Sequence, residues 1–159
     1  DVLSYAHNLA DVRKIITESA GTNAFVFLMS DGKTNTAELY IRERNRFEVY
    51  TPGVELKDDK RTFPAINNIV YGGHYDEKMH TSLSATRGSI TPEVIMKQIV
   101  PAIAMPSNFQ NVIYEPSGLQ FWVNNAKNKD VSAAEQLFTH FDLGAALKEF
   151  QPSQDSAAK

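Results

Sequence analysis

Ser107-Asn-Phe-Gln-Asn-Val-Ile-Tyr-Glu-Pro-Ser-Gly-Leu-Gln-Phe-Trp-Val-Asn-Asn-Ala126 is the most informative stretch of this chain. Two short apolar runs, Asn111 to Tyr114 and Leu119 to Val123, flank Glu115-Pro116-Ser117-Gly118. β-Branched and aromatic residues fill the runs, and Pro and Gly punctuate the middle, which is the pattern of a β-hairpin with Pro116 placed to start its turn. The second run carries the only Trp of the chain. The first is preceded by Ser107, Asn108 and Gln110, and Asn111 opens it. Two readings of that approach stand side by side: a strand entering a core from an amide-rich mouth, or an ordinary loop-to-strand junction.

Working back toward the N-terminus, Asn23 to Ser30 is a continuous apolar run, too short for an average helix and rich in strand formers. It reads as a strand buried on both faces. Asp31-Gly32 is a turn dipeptide. Thr36 to Ile41 follows as the hairpin partner, then a charged turn at Arg42 to Arg46, then a third strand at Phe47 to Thr51. Short connections of this kind make an antiparallel meander. Ahead of it, Asn8 to Ala20 spaces Leu9, Val12, Ile15 and Ile16 as one helix face, with Asn8 as N-cap and Gly21 as stop.

Between the meander and the second hairpin, Val54 to Arg61 reads as a polar surface loop. Phe63 to Tyr71 fits either a helical turn or a short strand. His74 to Arg87 fits a short helix with Met79 and Leu83 as its apolar points and Gly88 as its stop. Thr91 and Pro92 announce a helix by cap and first-turn chemistry, with Glu93 at the positive end of the dipole. Val94, Ile95, Ile99, Val100 and Ile103 supply its buried face, and Pro101 is expected to kink or end it. Beyond the hairpin, Leu143 to Phe150 reads as a short helix capped by Asp142. No internal repeat or domain boundary is visible. The expectation is one α+β domain over residues 1–150 and a disordered tail over 151–159.

The chain has 159 residues, is 42% hydrophobic and 22% charged, and carries a net charge of -3. These values fit one globular domain and offer no basic stripe for a nucleic acid. No apolar run approaches the roughly 18 residues needed for a membrane span. No signal peptide opens the chain and no initiator Met is present, so it reads as a processed product or a fragment. There is no cysteine. Disulfides, Cys-ligated zinc and a thiol nucleophile are therefore excluded from these residues.

Other chemistry is sparse. His74 and His80 lie six apart, which is not the spacing of two ligands on one helix face. With Asp76 and Glu77 they make a conceivable metal site, though no metal is assigned. There is no G-x-S-x-G elbow, no phosphate-binding loop and no dinucleotide fingerprint. Amides at element ends, Asn23, Asn67, Asn68, Asn108 and Asn111, either donate to a developing oxyanion or cap helices and turns.

The order of motifs adds a further expectation. A helix leads into Thr22-Asn23-Ala24-Phe25 and Leu28-Met29-Ser30-Asp31-Gly32. Later come Ser107-Asn108-Phe109-Gln110-Asn111-Val112-Ile113-Tyr114-Glu115-Pro116 and Leu119-Gln120-Phe121-Trp122-Val123. This resembles the C-terminal part of the acyl-coenzyme A:6-aminopenicillanic acid acyltransferase-like proteins of the N-terminal-nucleophile (Ntn) hydrolase superfamily. Phe109 and Gln110 stand where that family has Leu and His.

The resemblance implies antiparallel sheets with covering helices: most of an αββα Ntn-hydrolase-like sandwich, lacking the strand that carries the nucleophilic Cys. It implies a fragment or subunit of an amidohydrolase or acyltransferase acting on linear amide or thioester bonds, inactive alone, without a cofactor. Asn23, Asn108 and Gln110 are the residues expected to bind substrate or oxyanion. The expected partners are a small amide or acyl substrate, and either the N-terminal portion of the same protein or a second copy. A stand-alone binding domain without chemistry is the alternative. A hydrolase using His74, Asp76 and a serine is a third.

Overall fold

The computed structural model describes residues 2–57, 62–72 and 76–150, with the side chain of Asp76 outside the description. The architecture is mixed α and β, with antiparallel sheets. The chain forms two compact units, residues 1–104 and 105–159.

The first unit begins with α1 (Val2–Tyr5) and α2 (Leu9–Glu18). Asn8 caps α2, its Oδ1 accepting from Asp11 N at 3.0 Å. The meander is a three-stranded antiparallel sheet in the order β1 (Phe25–Asp31), β2 (Thr36–Arg42), β3 (Phe47–Tyr50). Residues opposite one another in an antiparallel pair share a face. Phe27 lies opposite Tyr40, and Tyr40 opposite Val49. This face packs under α2, where Val12, Ile16 and Tyr40 are buried with Phe27, Met29, Phe47 and Val49 against them. The opposite face carries Leu39 and Ile41, buried with Leu56, Phe63, Ile66 and Tyr71.

β1 departs from the expectation of a strand buried on both faces. Val26 and Leu28 pair with Ile41 and Leu39, yet they are 56% and 63% exposed. The layer over this face covers β2 and stops short of β1. Alternating Phe27 and Met29 are the half-buried positions, so the strand is one-sided despite its continuous apolar sequence.

The stretch expected as a surface loop also differs. Leu56 is 3% exposed within β4 (Leu56–Lys57), which pairs with β5 (Thr62–Phe63). Two hydrophobic side chains, Leu56 and Phe63, pull a polar segment onto the sheet. Ile66 and Ile69 close a tight bridge, and the Tyr71 hydroxyl donates to Pro64 O at 2.7 Å.

α3 (Asp76–Thr86) ends at Gly88, whose φ of +83° is the left-handed stop. Thr91 caps α4 (Pro92–Val94) through Val94 N. Pro101 does not end the helical run. A π-turn at Ile95–Ile99 widens the helix ahead of it, with Val100 N donating to Ile95 O, and α5 (Val100–Ile103) continues. The widened turn shifts the bonding pattern where a proline has no N–H to give.

Gly21 serves a different purpose from the one its position suggested. α2 stops at Ser19, and a Cβ on Gly21 would stand 2.5 Å from Glu43 O. The glycine permits close approach of the β2–β3 turn, while Arg42 Nη2 donates to Ser19 O at 2.7 Å.

The second unit is the expected hairpin, β6 (Gln110–Glu115) and β7 (Gln120–Asn125), joined on its β7 side by β8 (Thr139–Asp142). Leu119 closes the turn with φ +53°. α6 (Leu143–Glu149) follows, its N-terminus capped by Asp142, which accepts from Ala145 N at 2.8 Å. The segment 127–136 is tied to the approach to β6 by Ala133 N donating to Asn108 O at 2.9 Å, and Ala133, Ser132, Ile113 and Asn124 are all buried. Residues 151–159, expected as a frayed tail, lie outside the described residues, as does His74.

Candidate functional site

The hairpin turn fixes which side chains meet at its open end. With Glu115 opposite Gln120, the register places Asn111 opposite Asn124 and Gln110 opposite Asn125. Four amide side chains thus form two cross-strand pairs. Gln110 Nε2 donates to Asn125 Oδ1 at 2.7 Å, and Asn111 Nδ2 donates to Asn124 Oδ1 at 3.0 Å. The two pairs sit on opposite faces of the sheet, as neighbouring residues of a strand must. Asn124 is 3% exposed and gives its own Nδ2 to Gln136 O at 2.9 Å.

Asn108 joins this row from the approach to β6. Its Nδ2 donates to Gln110 O at 3.3 Å. Its Oδ1 is buried and has no hydrogen-bond partner among the described residues. The amide cannot gain by turning over, because that would set Oδ1 against the Gln110 carbonyl oxygen. An unsatisfied buried acceptor costs about 1–3 kcal/mol. It asks for an N–H or O–H donor.

The structure therefore brings together two of the three residues named from the sequence, Asn108 and Gln110. Asn23 belongs to the first unit, ahead of β1. It is exposed, and its Oδ1 accepts from Ala24 N at 2.9 Å, a local turn bond. Of the other amides at element ends, Asn68 occupies a left-handed position with φ +63°, the turn role open to Asn. Asn124, Asn125 and Gln136 were not picked out by sequence reasoning. The first two had a signal: counting back from the Pro116 turn sets Asn124-Asn125 against Gln110-Asn111.

Each of these primary amides has two N–H groups, so one remains after the bonds named above. Asn125 Nδ2 keeps both among the described residues, and Asn125 is exposed. The row is uncharged, offering neutral donors and one starved acceptor. The exposed Gln110–Asn125 pair has neutral N–H groups that can be given to an acceptor, with no acid or base of its own.

A second polar cluster lies toward the other end of the sheet. His140 stacks on Trp122 with ring centroids 4.8 Å apart and 18° between planes. A His140 ring nitrogen, Nε2, is 2.7 Å from Gln120 Oε1. Asp142 is held below the usual carboxylate range, first by the Ala145 N–H and then by the Gln120 side chain. These bonds join β8 to β7 and cap α6, which is a sufficient account of them.

In the first unit the buried carboxylate of Glu38 and its exposed partner Arg13 are equally structural. Arg13 forms a fork to Glu38, through Nε at 2.9 Å and a close contact from Nη2. Tyr40 OH donates to Glu38 at 2.5 Å. The Arg13 guanidinium and the Tyr40 hydroxyl hold the Glu38 carboxyl below its ordinary range, while burial and the Glu38 charge push Tyr40 up. The group ties α2 to β2. A depression of about 510 Å³ on this unit is lined by Tyr5, Asp11, Lys14, Ile15, Glu18 and Ser19, and the Ser19 hydroxyl there donates to Ile15 O at 2.7 Å. Among the described residues no three His, Asp or Glu side chains form a group able to hold a metal, and no helix is long and apolar enough to cross a membrane.

Comparison with family profiles, curated proteins and solved structures found no match to this chain.

Proposed function

We propose that this chain is the C-terminal portion of an Ntn-type amidohydrolase or acyltransferase, and that its amide row holds the acyl carbonyl of a linear amide or thioester. The observation that carries this reading is the row itself: Asn108 and Gln110, already singled out by their motif, lie bonded to one another at the open end of the β6–β7 hairpin. In this reading, Gln110 and Asn125 offer N–H groups to the carbonyl oxygen as it gains charge. Asn108 lies beside them as a further contact, its Nδ2 bonded to Gln110 O. Asn23 serves as a further substrate contact.

The nucleophile must come from outside these residues, since they include no cysteine. An N-terminal Cys freed by self-cleavage would attack the carbonyl with its own α-amino group as base. The chemistry calls for no metal or cofactor. The polypeptide bearing that Cys, or a second copy, would cover apolar surface now open, including Val26 and Leu28 in one unit and Tyr114 and Phe141 in the other. The same open faces also favour a second reading, a binding domain with no chemistry.

One experiment separates the two. The complete reading frame that encodes the chain is expressed, its products are examined by mass spectrometry for a new N-terminal Cys, and acyl amides and thioesters are tested for turnover. The enzyme reading expects cleavage, turnover, and a loss of about 10²–10³ in kcat for Gln110→Ala, the scale of one oxyanion donor. A reading frame without any Cys, and no turnover, would leave the binding domain.

A further inference from the structure

We draw no further inference here: the strongest candidate, the neutral aromatic face of the second unit's sheet formed by Val112, Tyr114, Phe121, Val123 and Phe141, is an unpartnered apolar face and nothing in the structure shows what covers it.

Discussion

The two units solve the problem of a three-stranded antiparallel sheet in opposite ways. In the first, the middle strand is sealed on both sides: Glu38 to Ile41 are all buried, and Tyr40 is fully so. In the second, only Ile113 and Asn124 among the strand residues are buried, and on one face exposed Tyr114 and Phe141 each pack against a half-buried Phe121. One sheet is held by burial; the other is held largely by side-chain amides and backbone ties. A unit of the second kind has hydrogen-bonding groups to spare for a ligand, and too little buried apolar surface to resist much perturbation.

The largest test of that contrast is Tyr40→Ala. Removing a fully buried ring from beneath α2 is expected to cost about 3–5 kcal/mol, the range for large aromatic truncations. It also strips one donor from Glu38. Since Trp122 is the only Trp and sits in the second unit, far-UV circular dichroism should report the loss while the Trp fluorescence transition shifts less. If both signals shift by the same amount, the units unfold as one body and the contrast fails.

Asn124→Ala probes the other side. The side chain makes two bonds, from Asn111 Nδ2 and to Gln136 O, and both half-buried partners would lose them. A cost of about 2 kcal/mol follows from two part-buried bonds. Hydrogen exchange should rise first at β6 and β7. Unchanged protection there would show that the amides decorate the hairpin without holding it.

How much of this was readable beforehand follows the same division. The meander, the Pro116 hairpin and the caps Asn8, Thr91 and Asp142 are local features, and local chemistry announced them. Leu56 was not readable, because a lone apolar residue among charges has no period; its reason to be buried is the cluster of Leu39, Ile41, Phe63, Ile66 and Tyr71 that the fold brings to it. The face of β1 was misjudged for the converse reason. An unbroken apolar run shows that both faces can be covered, not that both are. At the site, Asn108 and Gln110 were named from their motif and lie bonded to one another, while Asn124 and Asn125 were missed although the register set by the turn pointed to them. The starved Oδ1 of Asn108 needed coordinates, since no pattern of residue types reveals which acceptor lacks a partner.

Glu38→Gln tests whether charge adds to the packing of the first unit. Arg13 is 48% exposed, so the pair is discounted for screening and about 1 kcal/mol is expected. Folding holds the carboxyl below its ordinary value of 4.5. Its contribution is therefore complete above that pH and is lost as pH falls through the lowered value. The wild-type protein should lose stability over this window, and the Gln variant should lose less. Identical acid profiles would mean that the fork to Arg13 adds nothing to stability.

Phe141→Ser is expected to cost no more than Glu38→Gln while its face stays open, and it sharpens the comparison most. Its ring stacks on Phe121 with centroids 4.7 Å apart and 10° between planes, yet it is 44% exposed. An aromatic pair contributes about 0.5–1.5 kcal/mol beyond its burial. If the face stays open, the substitution should cost about 1 kcal/mol by denaturant titration followed through Trp122. If another surface closes over it in the complete protein, the same substitution removes a core residue and should cost about 3–5 kcal/mol. Measuring it in these 159 residues alone and again in the product of the complete reading frame turns one side chain into a gauge of cover. A cost that rises between the two places a covering layer on the aromatic face. Equal small costs leave that face to solvent, and with it the binding reading of the second unit.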